Sequence, residues 1–114
     1  MPKKKTTEAQ VLKAVNDYLY QMMKAGNGTW WRVNNGGVYD PVRKIYRKPK
    51  AKLAYKGISD VMGVYNGVFY AIEVKSSIGK PTSEQLAFGQ MVEANGGVFM
   101  VVNDVNQLLD IFTK

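Results

Sequence analysis

Two runs rich in apolar and β-branched residues, 58–65 and 68–75, are separated by Asn66-Gly67. Both residues tolerate the positive φ of a type I′ turn, so this pair between such runs is the strongest short-range signal for a two-residue hairpin loop. The loop pairs Tyr65 with Val68, and continuing that register sets Asp60 directly across from Glu73. Residues opposite one another share a face, with Cβ atoms about 4.5–5.5 Å apart, and like charges placed there repel. Lys75 lies two residues beyond Glu73, so the pleat puts its amine on the same face. Two carboxylates and an ammonium group therefore converge on one patch of sheet, where the opposed acids call for a cation.

The remaining punctuation fixes the order of elements. Thr7 and Gln10 fit a capping box for a helix running to about Ala25, with Val11, Leu12, Val15, Tyr18, Leu19, Met22 and Met23 as its apolar stripe. Glu8 extends that stripe one turn upstream. It serves either as a first-turn acid that favours the helix dipole or as a carboxylate aimed at whatever the helix covers. Residues 29–33 read as a short strand and 34–57 as a long basic loop. Both faces of 68–75 begin apolar, which marks a covered central strand. Thr82 and Gln85 offer a second capping box, for a helix carrying Leu86, Phe88, Met91 and Val92. The apolar run 98–102 reads as an interior strand, and Asp104 caps a last helix bearing Val105, Leu108, Leu109, Ile111 and Phe112. The order is α-β-β-β-α-β-α, an α/β (α+β) chain with a central mixed sheet flanked by helices. Trp30, Trp31, Tyr18 and the methionines are expected in core or dimer packing rather than as base-stacking groups.

With 114 residues the chain is expected to form one domain, residues 1–114. No run approaches the roughly 18 apolar residues of a membrane span, and Met-Pro-Lys-Lys-Lys is followed by polar residues, unlike a secretory signal. A soluble intracellular protein is the expectation. The chain has neither cysteine nor histidine, which excludes thiol nucleophiles, imidazole bases and the usual zinc sites. Carboxylate, lysine, tyrosine and water remain, and an all-oxygen site favours Mg²⁺ or Mn²⁺. The formal charge is +7, and Arg43, Lys44, Arg47, Lys48, Lys50, Lys52 and Lys56 follow one another without an intervening acid. Acids and bases balance elsewhere, so this one segment holds the whole net charge. Interleaved with Tyr46 and Tyr55, it gains most by meeting a polyanion, with strong salt dependence and little sequence preference. Arg32, Asn34 and Asn35 precede it as further contacts, and Lys3, Lys4 and Lys5 extend the basic surface.

Taken in order, Glu8 on the first helix, Gly57-Ile58-Ser59-Asp60, Glu73-Val74-Lys75 and Gln85 resemble the PD-(D/E)XK nucleases, and within them the VRR-NUC (virus-type replication-repair nuclease) group. The resemblance spans nearly the whole chain. Asp and Glu-x-Lys alone are a weak pattern, whereas the ordered set on matching elements is more specific. Ser59 stands where the motif has Pro, a departure that carries no chemistry.

The resemblance implies a restriction-endonuclease-like core and a deoxyribonuclease acting on branched or junction DNA. Asp60, Glu73 and the Val74 backbone carbonyl would hold Mg²⁺ or Mn²⁺, with Glu8 as an additional ligand. Lys75 would orient or deprotonate the attacking water. Gln85 would sit near Lys75 or the scissile phosphate, although capping alone also accounts for it. The resemblance further implies a homodimer, formed through the last helix or the 98–102 edge, and a phage or mobile-element source. From a different class comes a non-catalytic nucleic-acid-binding module on the same fold. It gives no reason to keep opposed carboxylates beside DNA.

Overall fold

Hydrogen-bond patterning builds three helices and six strands in the computed structural model, which describes residues 5–33, 38–47 and 56–112. Side chains at 38–40 and 45–47 are not described. Helix α1, Glu8–Lys24, opens on the expected capping box: Thr7 Oγ1 accepts from the Gln10 amide and Gln10 Oε1 accepts from the Thr7 amide. Strand β1, Thr29–Arg32, follows, then the short β2, Val38–Asp40, and β3, Ile45–Arg47. Strands β4, Val61–Tyr65, and β5, Val68–Val74, form the central hairpin. Helix α2, Ser83–Ala94, carries the second capping box and leads to β6, Val98–Val102, and α3, Asn106–Phe112.

The main sheet is mixed, in the order β1-β4-β5-β6, with β1-β4-β5 antiparallel and β6 parallel to β5. Asn66 and Gly67 both take positive φ, 51° and 77°, and Tyr65 pairs with Val68 in the expected register. One face of the sheet, with Trp30, Val61, Ile72, Val74 and Val102, packs on Val11, Val15, Leu19 and Met22 of α1 and on Leu108 of α3. Burying this stripe offsets the ordering cost at roughly 25 cal/mol per Å² of apolar surface. An aromatic group closes the far end: Trp30, Tyr65 and Tyr70 each lie edge-on or tilted to a neighbour, with Phe112 5.3–5.5 Å from all three. Such contacts add about 0.5–1.5 kcal/mol each beyond burial. The opposite face receives α2, where Gly89 lets the helix approach the ring of Phe99. No helix among the described residues is long and apolar enough to cross a membrane.

Four expectations need correction. The basic stretch contains a second antiparallel hairpin, β2 with β3, that stands apart from the main sheet. Its turn carries Lys44 at φ 54°, which Asn or Gly would have advertised. Strand β6 lies at the sheet's edge, since an unbroken apolar run records cover on both faces and says nothing about hydrogen-bonded neighbours on both sides. Trp31 is 41% exposed while Trp30 is 7% exposed, because successive strand residues face opposite ways and α2 covers the β5–β6 half. Leu86, Met91 and Met23 are likewise exposed.

Gly63 is where the sheet tolerates least. Trp30 is its partner in β1, and a Cβ on Gly63 would lie 2.2 Å from the indole and 2.6 Å from the Thr29 carbonyl. Gly63→Ala is expected to destabilise the fold by about 1–3 kcal/mol through this overpacking, seen as a lower urea midpoint with an unchanged slope.

Candidate functional site

The β4–β5 ladder ends at Val61 opposite Ile72, one step short of the acids. With Tyr65 and Val68 as the hydrogen-bonded pair that closes the turn, alternation makes Asp60 and Glu73 a non-hydrogen-bonded position, where side chains approach most closely. Here the backbone pairing gives way to a side chain. The Val74 amide donates to Asp60 Oδ2 at 2.8 Å, so the carboxylate takes over as acceptor where the ladder stops. On the other side of Asp60, its carbonyl accepts from the Val33 amide at 2.8 Å, anchoring it to the end of β1. An extended residue directs its N–H and C=O toward the same neighbouring strand. The Val74 carbonyl therefore leaves on the Asp60 side.

Glu73 is 1% exposed. Its Oε1 accepts from Gln85 Nε2 at 2.7 Å and lies 3.7 Å from Lys75 Nζ, while Oε2 has no hydrogen-bond partner among the described residues. Burial pushes the Glu73 carboxyl up to about 8, helped by the adjacent Asp60 carboxylate and by the hydrogen bond that protonated Glu73 gives it; Lys75 opposes the shift only in part. Two adjacent acids, one of them with a buried oxygen that meets no donor among the described residues, fit a divalent cation, which would favour the ionised forms of both and meet that oxygen.

Lys75 and Gln85 hold this pair in place. The Lys75 side chain is 14% exposed, with its ammonium between Glu73 and Glu8, 4.0 Å from Glu8 Oε1. Glu8 begins α1 with its side chain 57% exposed, so it reaches the site from the solvent side. Among the described residues no three acidic side chains close on one point; Asp60 and Glu73 form the pair and Glu8 lies beyond Lys75. Gln85 caps the start of α2 and at the same time binds Glu73. Oε1 accepts from the Thr82 amide at 2.8 Å while Nε2 of the same side chain donates to Glu73.

Several further groups position the site. Gly57, at φ +80°, lies so close to the first turn of α2 that a Cβ would sit 2.5 Å from the Glu84 carbonyl. That approach sets the segment entering Asp60 against the helix that carries Gln85. Thr6 and Ser77 exchange hydrogen bonds, amide to hydroxyl and amide to carbonyl, which tie the start of α1 to the chain leaving Lys75. Asn103 Nδ2 donates to the Ser76 and Gly79 carbonyls and braces the same loop. Only Gly57 could have been suspected, since Gly before a buried strand hints at close approach.

Of the expected nucleic-acid contacts, Arg32, Arg43 and Lys44 are exposed, and Lys56 is exposed while lying 3.4 Å from Glu84. Arg47 is in β3. Asn34, Asn35, Lys48, Lys50 and Lys52 lie outside the described residues. Compared with protein-family models, with curated proteins and with solved structures, the chain finds no match.

Glu73 also makes stability depend on pH. Its folded value lies above the ordinary carboxyl value, so the folded state binds the extra proton between about pH 4.5 and 8 and stability falls as pH rises through that window. Glu73→Gln keeps the shape without the charge. Melting curves are expected to place the variant above the wild type at pH 8.5, with the gap closing toward pH 5. A gap independent of pH would contradict the assignment. Ser59, fully buried with a hydroxyl that has no hydrogen-bond partner among the described residues, gives a separate check: Ser59→Ala is expected to stabilise by up to about 1 kcal/mol.

Proposed function

We propose that this chain is a Mg²⁺- or Mn²⁺-dependent deoxyribonuclease of the VRR-NUC kind on a restriction-endonuclease-like core, acting as a homodimer on branched or junction DNA. The observation that carries the reading is the buried Glu73 carboxyl against Asp60, with one oxygen that meets no donor among the described residues and Lys75 alongside. A purely structural ion pair needs one acid, and two acids in contact are retained at a cost. The absence of His and Cys leaves this cluster as the strongest chemical site in the chain.

In this reading Asp60, Glu73 and the Val74 carbonyl would hold the cation, with Glu8 as an additional ligand or joined through a water. When bound, the ion supplies a lowered water pKa and stabilisation of charge on the phosphoryl oxygens. Gln85 fixes the Glu73 carboxylate in one orientation. Lys75 presents a fixed positive charge to the scissile phosphate and orients the attacking water. Its two acidic neighbours keep it from swinging out to solvent. Arg32, Arg43 and Lys44, with Arg47, Lys48, Lys50, Lys52, Lys56 and Asn34, contact phosphates along the strand and give affinity without sequence preference.

Incubation with plasmid, linear, flapped and four-way-junction DNA tests the proposal. Cleavage is expected in Mg²⁺ or Mn²⁺ and not in EDTA, and Lys75→Ala should lose about 10²–10³-fold in rate while binding persists and weakens with salt. Millimolar Mg²⁺ should raise the melting temperature. Binding without cleavage under every condition, or cleavage that Lys75→Ala leaves intact, would remove the catalytic assignment in favour of a binding module.

A further inference from the structure

The tip of the β2–β3 hairpin holds the most exposed of the large apolar side chains among the described residues: Val42, 89% exposed, between Pro41 and the exposed pair Arg43 and Lys44. Turn chemistry does not call for Val42 or Lys44. Gly, Asn, Asp and Ser serve tight turns because they tolerate positive φ or bond their own backbone, whereas a β-branched residue favours strands. Pro41 suits a turn through its fixed φ, but Lys44 takes φ 54° without the freedom of glycine. Strand pairing gives no reason for them either. Among the described strands β2 and β3 pair only with each other, and a lone two-stranded ribbon is marginal in water. The tip is a stiff apolar point beside two cations, open to solvent.

That combination matches distorted duplex DNA. Cations alone are satisfied by phosphates on the outside of the helix, where an exposed valine adds nothing. An apolar side chain gains where it enters a base step, and wedges of this kind, proline among them, work with basic residues alongside to unstack and kink a duplex. The reach also agrees. Val33 donates to the Asp60 carbonyl at 2.8 Å; from there the chain to Val38 spans at most about 18 Å, and from Val38 to Val42 at most about 14 Å. On the return side Gly57 lies against the first turn of α2, and Lys56 is 3.4 Å from Glu84. Both ends of the hairpin segment are thus rooted beside the acids, and its tip reaches DNA within about one helical turn, roughly 34–36 Å, of a phosphate held there.

We infer that Pro41 and Val42 enter between base pairs of duplex DNA at a weakly stacked step, with Arg43 and Lys44 on the flanking phosphates. The inference rests on the nuclease reading for its substrate and deepens it, because it gives branched DNA a physical advantage: bases at a mismatch or branch are already poorly stacked, so opening them costs least.

Binding in EDTA, where nothing is cut, tests the wedge apart from catalysis. The probes are a fully paired duplex and the same duplex with one mismatch, each carrying 2-aminopurine at that step. Wild type is expected to bind the mismatched duplex roughly tenfold more tightly and to raise the 2-aminopurine fluorescence as the bases unstack. Val42→Ser should lose the rise and bring the preference near unity, with the salt dependence unchanged. Arg43→Ala should instead weaken both duplexes alike, lower the slope of log affinity against log salt by about one and keep the preference. Val42 is exposed, so Val42→Ser should melt at the wild-type temperature. No fluorescence rise in the wild type, a rise that Val42→Ser retains, or equal weakening of both duplexes by Val42→Ser overturns the inference. So does a dimer-to-monomer change in Val42→Ser with DNA binding intact, which assigns the tip to a second copy of the chain. A rise lost in Val42→Ser, in a protein that cleaves nothing with any metal, upholds the wedge and removes only the nuclease reading; cleavage without a rise removes only the wedge.

Discussion

Glu73 is a carboxyl group in the interior of a sheet, faced by a second carboxyl group, and much of the local architecture compensates for that placement. Transferring an ionised acid out of water costs several kcal/mol unless it is paired and hydrogen-bonded. One oxygen is met by Gln85 and approached by Lys75, while the other meets no donor among the described residues. Burial accordingly favours the protonated form of this carboxyl. The β4–β5 register makes this inescapable: any sequence carrying acids at 60 and 73 in this hairpin must face their repulsion, and shifting the register by one residue would turn the apolar partners out of the core.

The site is assembled from three directions by bonds that also serve the fold. Asp60 ends a strand pairing with its side chain and is anchored from β1 through its carbonyl. Thr6 and Ser77 bring the start of α1 beside the end of β5, which puts Glu8 within reach of Lys75. Gly57 allows the chain entering Asp60 to lie against the first turn of α2. Because these contacts hold secondary structure as well as the acids, the geometry is fixed before any ligand arrives.

What the sequence made legible was local. Asn66-Gly67 named the turn and hence the register, and Thr7 with Gln10 and Thr82 with Gln85 named two helix starts, because each signal is a side chain satisfying a nearby backbone group. Positions that depend on distant partners were not legible. The β2–β3 hairpin turns through Lys44 without the usual residues, β6 shows the same apolar letters at an edge as in an interior, and Trp31 differs from Trp30 only in which face α2 happens to cover. For the site, the meeting of Asp60, Glu73 and Lys75 followed from the hairpin alone, whereas the Thr6–Ser77 link and the Asn103 brace join residues 71 and 24–27 positions apart and leave no periodic trace.

The amide of Gln85 faces two ways, oxygen toward Thr82 and nitrogen toward Glu73. A helix start of this kind accepts glutamate as readily as glutamine, since only the oxygen is used there. With the oxygen committed, the remaining atom must be a donor, and a glutamate would press a third acid onto two that already repel. The choice of letter at position 85 is thus made by the acid across from it, so a residue whose neighbours in the chain explain its backbone role owes its identity to a strand twelve residues away.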